Sequence, residues 1–126
     1  MLPMIHRVRT AVDFARTVRS GARSGRRNVV LYGSRTSDAV PSRVGFIVGK
    51  NVGNAVTRNL VKRRLRHASA EWVTTHPSGY DVVVRALPAA AASDWPALHR
   101  DFTSCLAVVV RRLAHFDAPE REGRVS

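Results

Sequence analysis

Residues 54–76 carry the pattern that most constrains this chain, because they place an apolar stripe beside a basic one on a single helix. At about 100° per residue, one narrow arc holds Val61, Leu65, Ala68 and Trp72. The neighbouring arc holds Arg58, Asn59, Lys62, Arg63 and Arg66. Asn54 is a favourable N-cap for such a helix. The chain must therefore bury one side of this helix and leave a continuous face of cations and amide in solvent.

Charge is distributed unevenly along the sequence. The chain has 21 Lys plus Arg against 9 Asp plus Glu, a formal net charge of +12. Residues 1–80 contain 15 basic and 3 acidic side chains, and residues 81–126 contain six of each. No acid lies between Asp38 and Glu71, so the repulsion between like charges one turn apart on the helix is not offset locally. This pattern favours an anionic partner. Nucleic acid is preferred over a membrane surface because 19 of the cations are Arg, which binds phosphate with a fork of donors.

Composition limits the remaining possibilities. A chain of 126 residues with 44% hydrophobic content suits one domain with a modest core. No apolar run approaches the length of a membrane span, and residues 1–14 lack the apolar segment of a signal peptide. The single cysteine, Cys105, excludes an intrachain disulfide and a cysteine-based zinc site. We predict a cytoplasmic protein with one domain over residues 1–116 and a flexible tail over 117–126.

The other segments predict an α+β fold, a small sheet with helices packed on it. Thr10 and Asp13 form a capping-box pattern that opens a short helix ending near Gly21. Three segments have the composition of strands: residues 28–33, 43–49 and 80–86. The first two are apolar on both faces, so each is either covered on both sides or keeps one face for a ligand. A final helix begins at Asp94 or Trp95. Its core stripe comprises Leu98, Phe102, Cys105, Leu106, Val109 and Leu113.

The residues suggest no catalytic apparatus in the chain itself. Residues 45–51 look like a phosphate-binding loop, but only three residues separate the glycines, and Asn51 follows Lys50 where Ser or Thr is needed. The five histidines show no metal-ligand spacing with acids or with the cysteine. Cys105 lies on the predicted core stripe, so we expect it to be buried rather than nucleophilic. The sequence predicts no catalytic residue and no certain metal site.

Two aromatic side chains, Phe14 and Tyr32, admit two interpretations. Most such residues belong to a core. The alternative is a stacking platform for unpaired bases, which needs exposed rings beside cations. The candidates for those cations are Arg16, Arg35 and Lys50.

Four blocks of the chain together resemble the bacterial ribonuclease P protein subunit. They are LPMIHRVRTAVDF, VVLYG, RVGFIVGKNVGNAVTRNLVKRRLRHA and GYDVVVRALPAA. By their order and spacing the resemblance extends over about residues 2–113, and the third block matches the family's Arg-Asn-Arg motif segment. The resemblance implies an αβββαβα order, a small four-stranded sheet and a left-handed βαβ crossover. It also implies that residues 21–28 supply a short first strand.

The resemblance implies a function as well. The protein would pair with ribonuclease P RNA, and the complex would remove the 5′ leader of precursor tRNA, with Mg²⁺ held mainly by the RNA. The residues at positions that face RNA in the family are Lys50, Arg58, Asn59, Lys62, Arg63 and Arg66. Those that match the cleft for the single-stranded leader are Phe14, Tyr32 and Phe46. Asn59 also matches a position near a metal site. The resemblance implies neither a membrane nor a protein partner.

The chain departs from the family's pattern at two positions of interest. Leu60 stands where a second motif Arg is common, and Val18 stands where an aromatic often lies in the cleft. We therefore expect a weaker RNA contact on the Leu60 side of the helix and weaker stacking of the leader.

Three other functions remain as alternatives. A ribosomal or other structured-RNA-binding protein shares the charge pattern but not the four-block match. A sequence-specific DNA reader would prefer a duplex to a tRNA precursor, and the chain has no helix-turn-helix spacing. An autonomous nuclease would cleave RNA without an RNA partner.

Overall fold

The computed structural model describes residues 2–8 and 10–125, with side chains described except at positions 11, 20 and 115–125. We number the helices and strands of this part of the chain in order. The helices are α1 Ala11–Ser20, α2 Ala55–Thr75 and α3 Trp95–Val125. The strands are β1 Ala22–Gly25, β2 Val29–Arg35, β3 Arg43–Ile47 and β4 Tyr80–Ala86. Short 3₁₀ turns cover Met4–His6 and Pro88–Ala91. The αβββαβα order is confirmed.

The described strands form one mixed sheet in the order β1-β2-β4-β3. β1 pairs antiparallel with β2, and β2 pairs antiparallel with β4. β3 pairs parallel with β4, so α2 is the crossover between two adjacent parallel strands. This arrangement confirms the predicted four-stranded α+β fold, and the left hand of the crossover stays a prediction.

The helices cover opposite faces of the sheet, and two glycines show which helix covers which face. A Cβ on Gly33 would meet Val109 of α3, whereas a Cβ on Gly45 would meet the ring of Phe14 on α1. The strand register places these two glycines in adjacent rows, whose side chains point to opposite faces. α1 therefore lies on one face and α3 on the other. α2 joins α3 on that second face, where its Val61 belongs to the buried core.

The core lies between the sheet and the pair α2 and α3. The whole predicted stripe of α3, from Leu98 to Leu113, is buried, and Cys105 is among its buried members. On α2 the buried residues are Val61, Leu65, Ala68, Ser69 and Val73. Trp72 is only half-buried, at the margin of this cluster. The apolar arcs predicted from helical periodicity are therefore confirmed, except that Trp72 lies at the edge of the core and is not fully buried in it.

Residues 2–8 precede α1 as an N-terminal arm. The N-terminal arm runs beside β3, where the backbone N–H of Val8 donates to the carbonyl oxygen of Val44 over 3.2 Å. α3 continues to Val125, and the predicted flexibility of residues 117–126 stays a prediction, since the side chains from residue 115 onward lie outside the described part. No described helix is long and apolar enough to cross a bilayer.

Candidate nucleic-acid interface

A tight turn before α2 fixes where the basic helix begins. Val52 is buried and anchors this turn, and its N–H donates to the carbonyl oxygen of Gly49 over 3.1 Å. Gly53 has a φ of 154°, a conformation that favours glycine. Asn54 then caps the helix, its side-chain oxygen accepting from the N–H of Thr57 over 3.0 Å. The helix therefore starts at a position set by one buried valine, one glycine and one cap.

We expect Gly53→Ala to lower the free energy of unfolding by about 1–3 kcal/mol, the cost of holding a non-glycine residue in this region of φ. The added Cβ would also approach the side chain of Thr57 to 3.0 Å. Gly49→Ala is the matched control, because Gly49 has no positive φ and its Cβ would meet only the side-chain oxygen of Asn51. Urea denaturation measures both. Equal losses for the two variants would show that the backbone conformation at Gly53 is not what fixes the turn.

The predicted RNA-facing residues share one side of α2. Asn59 and Arg63 are exposed, and Arg58, Lys62 and Arg66 are half-buried at the border with the core stripe. Lys50 is exposed in the turn that leads into the helix. Arg58 has one local role, since its Nε donates to the carbonyl oxygen of Gly53 over 3.2 Å. The structure thus brings the five α2 residues together and places Lys50 just ahead of them.

These cations are not neutralised within the described part of the protein. No carboxylate of a described residue makes a salt bridge with any of the five cations of this surface, which are Lys50, Arg58, Lys62, Arg63 and Arg66. Arg64, which lies between them in sequence, points away instead and donates to the carbonyl oxygen of Ser93 over 3.0 Å. The basic face is therefore a set of uncompensated charges that a polyanion can neutralise.

The exposed flank of the same helix combines cations with apolar atoms. A shallow concavity of about 490 Å³ is lined by Val56, Asn59, Leu60, Arg63 and Arg66. Leu60 is 36% exposed and Val56 is 79% exposed, so both present apolar surface next to the guanidinium groups. Leu60 stands where a second motif Arg is common in the family. At this position the surface therefore offers van der Waals contact instead of a positive charge.

The opposite face of the sheet, under α1, carries the two predicted stacking residues. The ring of Phe14 lies on the backbone of Gly45, so closely that a Cβ there would come within 2.6 Å of it. Tyr32 occupies the same row as Gly45, because both register with Val83 of β4. The guanidinium of Arg23 lies 5.9 Å from the centre of the Tyr32 ring. Both aromatic rings are half-buried, so each keeps exposed surface on this face.

Phe46 does not join them. It registers with Val84 of β4 and lies on the same face of β3 as the buried Val44, where it packs against the core. Side chains two residues apart on a strand share a face, and those one apart do not. The grouping of Phe46 with Phe14 and Tyr32 in one cleft is therefore corrected, because the strand alternation places Phe46 on the far side of the sheet.

An ion network ties α1 to this face of the sheet. The guanidinium of Arg43 donates to both carboxylate oxygens of the buried Asp81, over 3.0 and 2.8 Å, and to Asp13 of α1 over 3.1 Å. The hydroxyl of Thr10 and then the charge of Arg43 hold the pKa of Asp13 below its ordinary value. Hydrogen bonds to Asp81 raise the pKa of Arg43. The network therefore fixes α1 above the sheet.

Two cations on the α1 face were missed from the sequence. Arg23 registers opposite Tyr32, and the exposed Arg85 lies two residues after Val83 on β4. The alternation of side chains along β4 could have predicted that Arg85 shares a face with Val83. It could not have predicted that Arg85 lies near Tyr32, because this depends on the register between β2 and β4, which are distant in sequence. Together with the two rings they make a surface that offers both π-faces and positive charge.

No group of three or more metal-ligating side chains was found among the described residues. Asn59, which matched a position near a metal site, is exposed on α2 with the RNA-facing cations. A lone amide oxygen is a weak ligand for a hard cation. The metal role of Asn59 stays a prediction.

Comparison with known proteins decides the family. The sequence model described as Ribonuclease P matches residues 2–110 of the chain. The chain belongs to the ribonuclease P protein family. The ribonuclease P protein component of Kocuria rhizophila is 61% identical over 114 residues, which are 90% of this chain and all of that one. That of Pseudarthrobacter chlorophenolicus is 54% identical over 90% of this chain and 84% of that one.

A solved structure agrees with these relatives. The ribonuclease P protein of Staphylococcus aureus, known at 2.0 Å, superposes with a TM-score of 0.72 at 26% identity, covering 82% of this chain and 94% of that one. The resemblance drawn from four sequence blocks is therefore confirmed. So is the function class, a protein subunit of ribonuclease P, in preference to a ribosomal protein or a DNA reader.

Proposed function

We propose that the chain binds the catalytic RNA of ribonuclease P through the basic face of α2, and that it holds the 5′ leader of precursor tRNA against the α1 face of the sheet. The chemistry of leader removal would then be carried by the RNA. The observation that supports this most is the run of uncompensated cations on one side of a helix whose other side is buried.

The α2 face suits phosphate rather than base recognition. Arg63 is exposed and Arg66 half-buried, and Arg can form two parallel hydrogen bonds with one phosphate. Each phosphate that the helix neutralises also releases condensed counterions from the RNA, which favours binding at low salt. A structured RNA with closely spaced phosphates is the partner that this face fits.

The α1 face suits a single strand. Unpaired bases stack on aromatic rings whatever their sequence, and nearby guanidinium groups attract the backbone. Phe14 and Tyr32 supply the rings and Arg23 and Arg85 the charge. The leader of precursor tRNA is single-stranded, so this face would add affinity for the precursor over the mature tRNA.

Magnesium enters this proposal through the RNA. Mg²⁺ keeps several of its waters when it binds, and phosphate oxygens are among its usual ligands. We propose that the RNA holds the ions that activate water, while the protein's cations replace some of the ions that only screen phosphate. Since precursor tRNA is the substrate, we place this activity in the cytoplasm.

The proposed function is tested by reconstitution. Purified protein is added to a bacterial ribonuclease P RNA and radiolabelled precursor tRNA, and the rate of leader removal is measured against Mg²⁺ concentration. We expect the protein to lower the Mg²⁺ concentration needed for half-maximal rate and RNA-free protein to cleave nothing. An identical Mg²⁺ requirement with and without the protein, or turnover by protein alone, would contradict the proposal.

We expect Tyr32→Ala to weaken binding of precursor tRNA by the reconstituted complex while leaving mature tRNA unaffected. Loss of one stacked base costs about 1–3 kcal/mol, or roughly five- to 150-fold in affinity. Because Tyr32 is half-buried, its truncation should cost much less stability than the ~3–5 kcal/mol of a buried aromatic. Filter binding and thermal melting measure the two effects.

Phe46→Ala is the matched control on the other face of the sheet. It should lower the melting temperature without selective loss of precursor binding, since Phe46 packs against the core. If Tyr32→Ala lowers both tRNA affinities equally, or acts only on stability, then Tyr32 does not contact the leader.

A further inference from the structure

Two aromatic side chains border the basic face of α2 without belonging to it. A shallow concavity of about 260 Å³ is lined by Arg63, Arg64, His67 and Trp95. Arg63 also lines the concavity beside Leu60, so the two depressions share one wall. The surface proposed above for the catalytic RNA therefore continues past Arg63 onto two rings to which the proposed function gives no role.

Hydrogen bonds at the start of α3 place Trp95 beside α2. Trp95 is the first residue of α3, and Oδ1 of Asp94 caps that helix by accepting from the N–H of Ala97 over 2.9 Å. One residue earlier, the carbonyl oxygen of Ser93 accepts from the guanidinium of Arg64 over 3.0 Å. The indole is half-buried, because part of it packs against the core and part lines the concavity. The fold therefore holds this ring in place and leaves some of its surface in solvent.

One carboxylate orients the imidazole rings next to Trp95. Nε2 of His67 lies 3.3 Å from Oε1 of Glu71, and Nε2 of His99 lies 3.0 Å from Oε2 of the same group. The ring centres of His67 and Trp95 are 5.4 Å apart, with an angle of 68° between the ring planes. His99 lies on the indole as well, with ring centres 5.1 Å apart. A flat group that stacks on either Trp95 or His67 therefore meets the other ring at a steep angle.

These rings suit an unpaired base. Aromatic side chains stack on the face of a base whatever its sequence, whereas a base inside a double helix has both faces covered by its neighbours. A nucleotide that is looped out of an RNA helix exposes a face and carries its phosphate with it. Arg63 is exposed and lies one helical turn before His67, so the two side chains are neighbours on α2. The site thus places a cation for the phosphate beside rings for the base.

The acids next to these rings do not oppose a phosphate at Arg63. Neither Glu71 nor Asp94 lines the concavity. Glu71 lies eight residues beyond Arg63 on α2, about 12 Å away along the helix axis. Its carboxylate faces the two imidazoles, and that of Asp94 caps α3. A phosphate on the Arg63 side of the rings therefore meets positive charge.

The other tryptophan of the chain does not offer the same surface. Trp72 is half-buried at the margin of the core, and the ring of His76 stacks on it with centres 5.0 Å apart and planes 13° from parallel. Tyr80 meets the same indole edge-on at 5.7 Å. One face of Trp72 is therefore already covered, which makes this residue an internal control.

We propose that Trp95 and His67 bind an unpaired base of the ribonuclease P RNA by stacking, with the phosphate of the same nucleotide on Arg63. The inference rests on the proposed function, because it extends the α2 surface that binds the phosphates of that RNA. Stacking needs no particular base, so the site recognises a place where an RNA helix is interrupted and not a sequence.

The two tryptophans make fluorescence a direct test. Trp72→Phe leaves Trp95 as the only tryptophan of the chain, and Trp95→Phe leaves Trp72. Each variant is titrated with ribonuclease P RNA and with inorganic polyphosphate, which carries the charge but no base. We expect the RNA to quench most of the Trp95 emission, because a stacked base quenches indole, and to leave the Trp72 emission nearly unchanged. Polyphosphate should quench neither.

Three results of these titrations would overturn the proposal. They are unchanged Trp95 emission at saturating RNA, equal quenching of Trp95 by RNA and by polyphosphate, and equal quenching of Trp95 and Trp72 by RNA.

Affinity measurements separate stacking from charge. Trp95→Leu should weaken RNA binding about tenfold, the effect of losing one stacked base. The slope of log affinity against log salt should stay the same, because no charge is lost. Trp95→Phe, which keeps an aromatic ring, should restore most of the affinity. Thermal melting gives the temperature below which every variant is folded, and binding is measured there.

Trp72→Leu is the matched control, since it makes the same change at the other half-buried tryptophan, and it should leave the RNA affinity nearly unchanged. Equal losses of affinity for Trp95→Leu and Trp72→Leu would make Trp95 a structural residue only. Affinity of Trp95→Phe no better than that of Trp95→Leu would also contradict stacking.

Failure of this inference is distinguishable from failure of the proposed function. If the wild-type protein neither binds ribonuclease P RNA nor lowers its Mg²⁺ requirement, both fail. If the protein lowers that requirement but the emission of Trp95 does not respond to the RNA, only the stacking site fails.

Discussion

Arg43→Ala should lower the free energy of unfolding by about 3–5 kcal/mol, the cost of leaving a buried charge without its partner. Asp81 is 1% exposed, and Arg43 supplies both of its carboxylate oxygens with hydrogen bonds. The variant would also remove the hydrogen bond from Arg43 to Asp13, which links α1 to the sheet. Urea denaturation with a comparison of midpoints and slopes measures the loss.

Arg16→Ala is the control for this prediction. Arg16 pairs with the same Asp13 over 2.5 Å but is 58% exposed, so its loss should cost less than about 1 kcal/mol. Replacing the buried pair as a whole, Arg43→Met with Asp81→Leu, should recover much of the stability lost in Arg43→Ala, because no unpaired charge then remains. A loss below about 1 kcal/mol for Arg43→Ala would show that the network does not hold α1 on the sheet.

The second large effect concerns RNA affinity. Lys62→Gln, Arg63→Gln and Arg66→Gln combined should flatten the plot of log affinity against log salt by about two to three units, because each lost phosphate contact removes roughly 0.7–0.9. We choose these three and leave Arg58, because Arg58 also holds the turn at Gly53. Stability should stay the same or rise slightly, since repulsion between Lys62 and Arg66 one turn apart is relieved. Equilibrium binding to ribonuclease P RNA at several salt concentrations measures the slope.

Two controls accompany the triple variant. Leu60→Ala changes the same helix without changing charge, so its salt slope should equal that of the wild type. Arg26→Gln with Arg111→Gln removes two exposed charges that lie outside the basic face of α2, and should flatten the slope much less per charge. If the triple variant keeps the wild-type affinity and slope, the basic face of α2 is only solvated surface.

Local patterns were enough to predict the helices. The period of Val61, Leu65 and Ala68 fixed which side of α2 is buried, and the basic side followed from the same geometry. The N-cap of α1 was also predictable from the sequence, since the Thr10 hydroxyl accepts a hydrogen bond from the N–H of Asp13, as the capping-box pattern predicts. These inferences succeeded because residues three or four apart on a helix are neighbours whatever the rest of the chain does.

The sequence did not show in the same way which strand residues face α1 and which face the core. The segment RVGFIVG is apolar on both faces, so nothing local said that Phe46 points to the core and Gly45 to α1. Arg43 and Asp81 lie 38 residues apart and meet only through the parallel register of β3 and β4. Strand order and register are set by tertiary packing, which is why the α1 face was predicted with one wrong member and without Arg23 and Arg85.

The central claim, that the basic face of α2 lies on the RNA, is open to one direct measurement. The only cysteine of the chain, Cys105, is buried, and burial raises the pKa of its thiol, so it should resist modification. Asn59→Cys and, as control, Ala107→Cys on the exposed side of α3 can therefore each carry a single tethered iron chelate that generates hydroxyl radicals. We expect the label at position 59 to cut ribonuclease P RNA at one or a few discrete sites and the label at position 107 to cut little. Equal or diffuse cutting from the two positions would contradict the account.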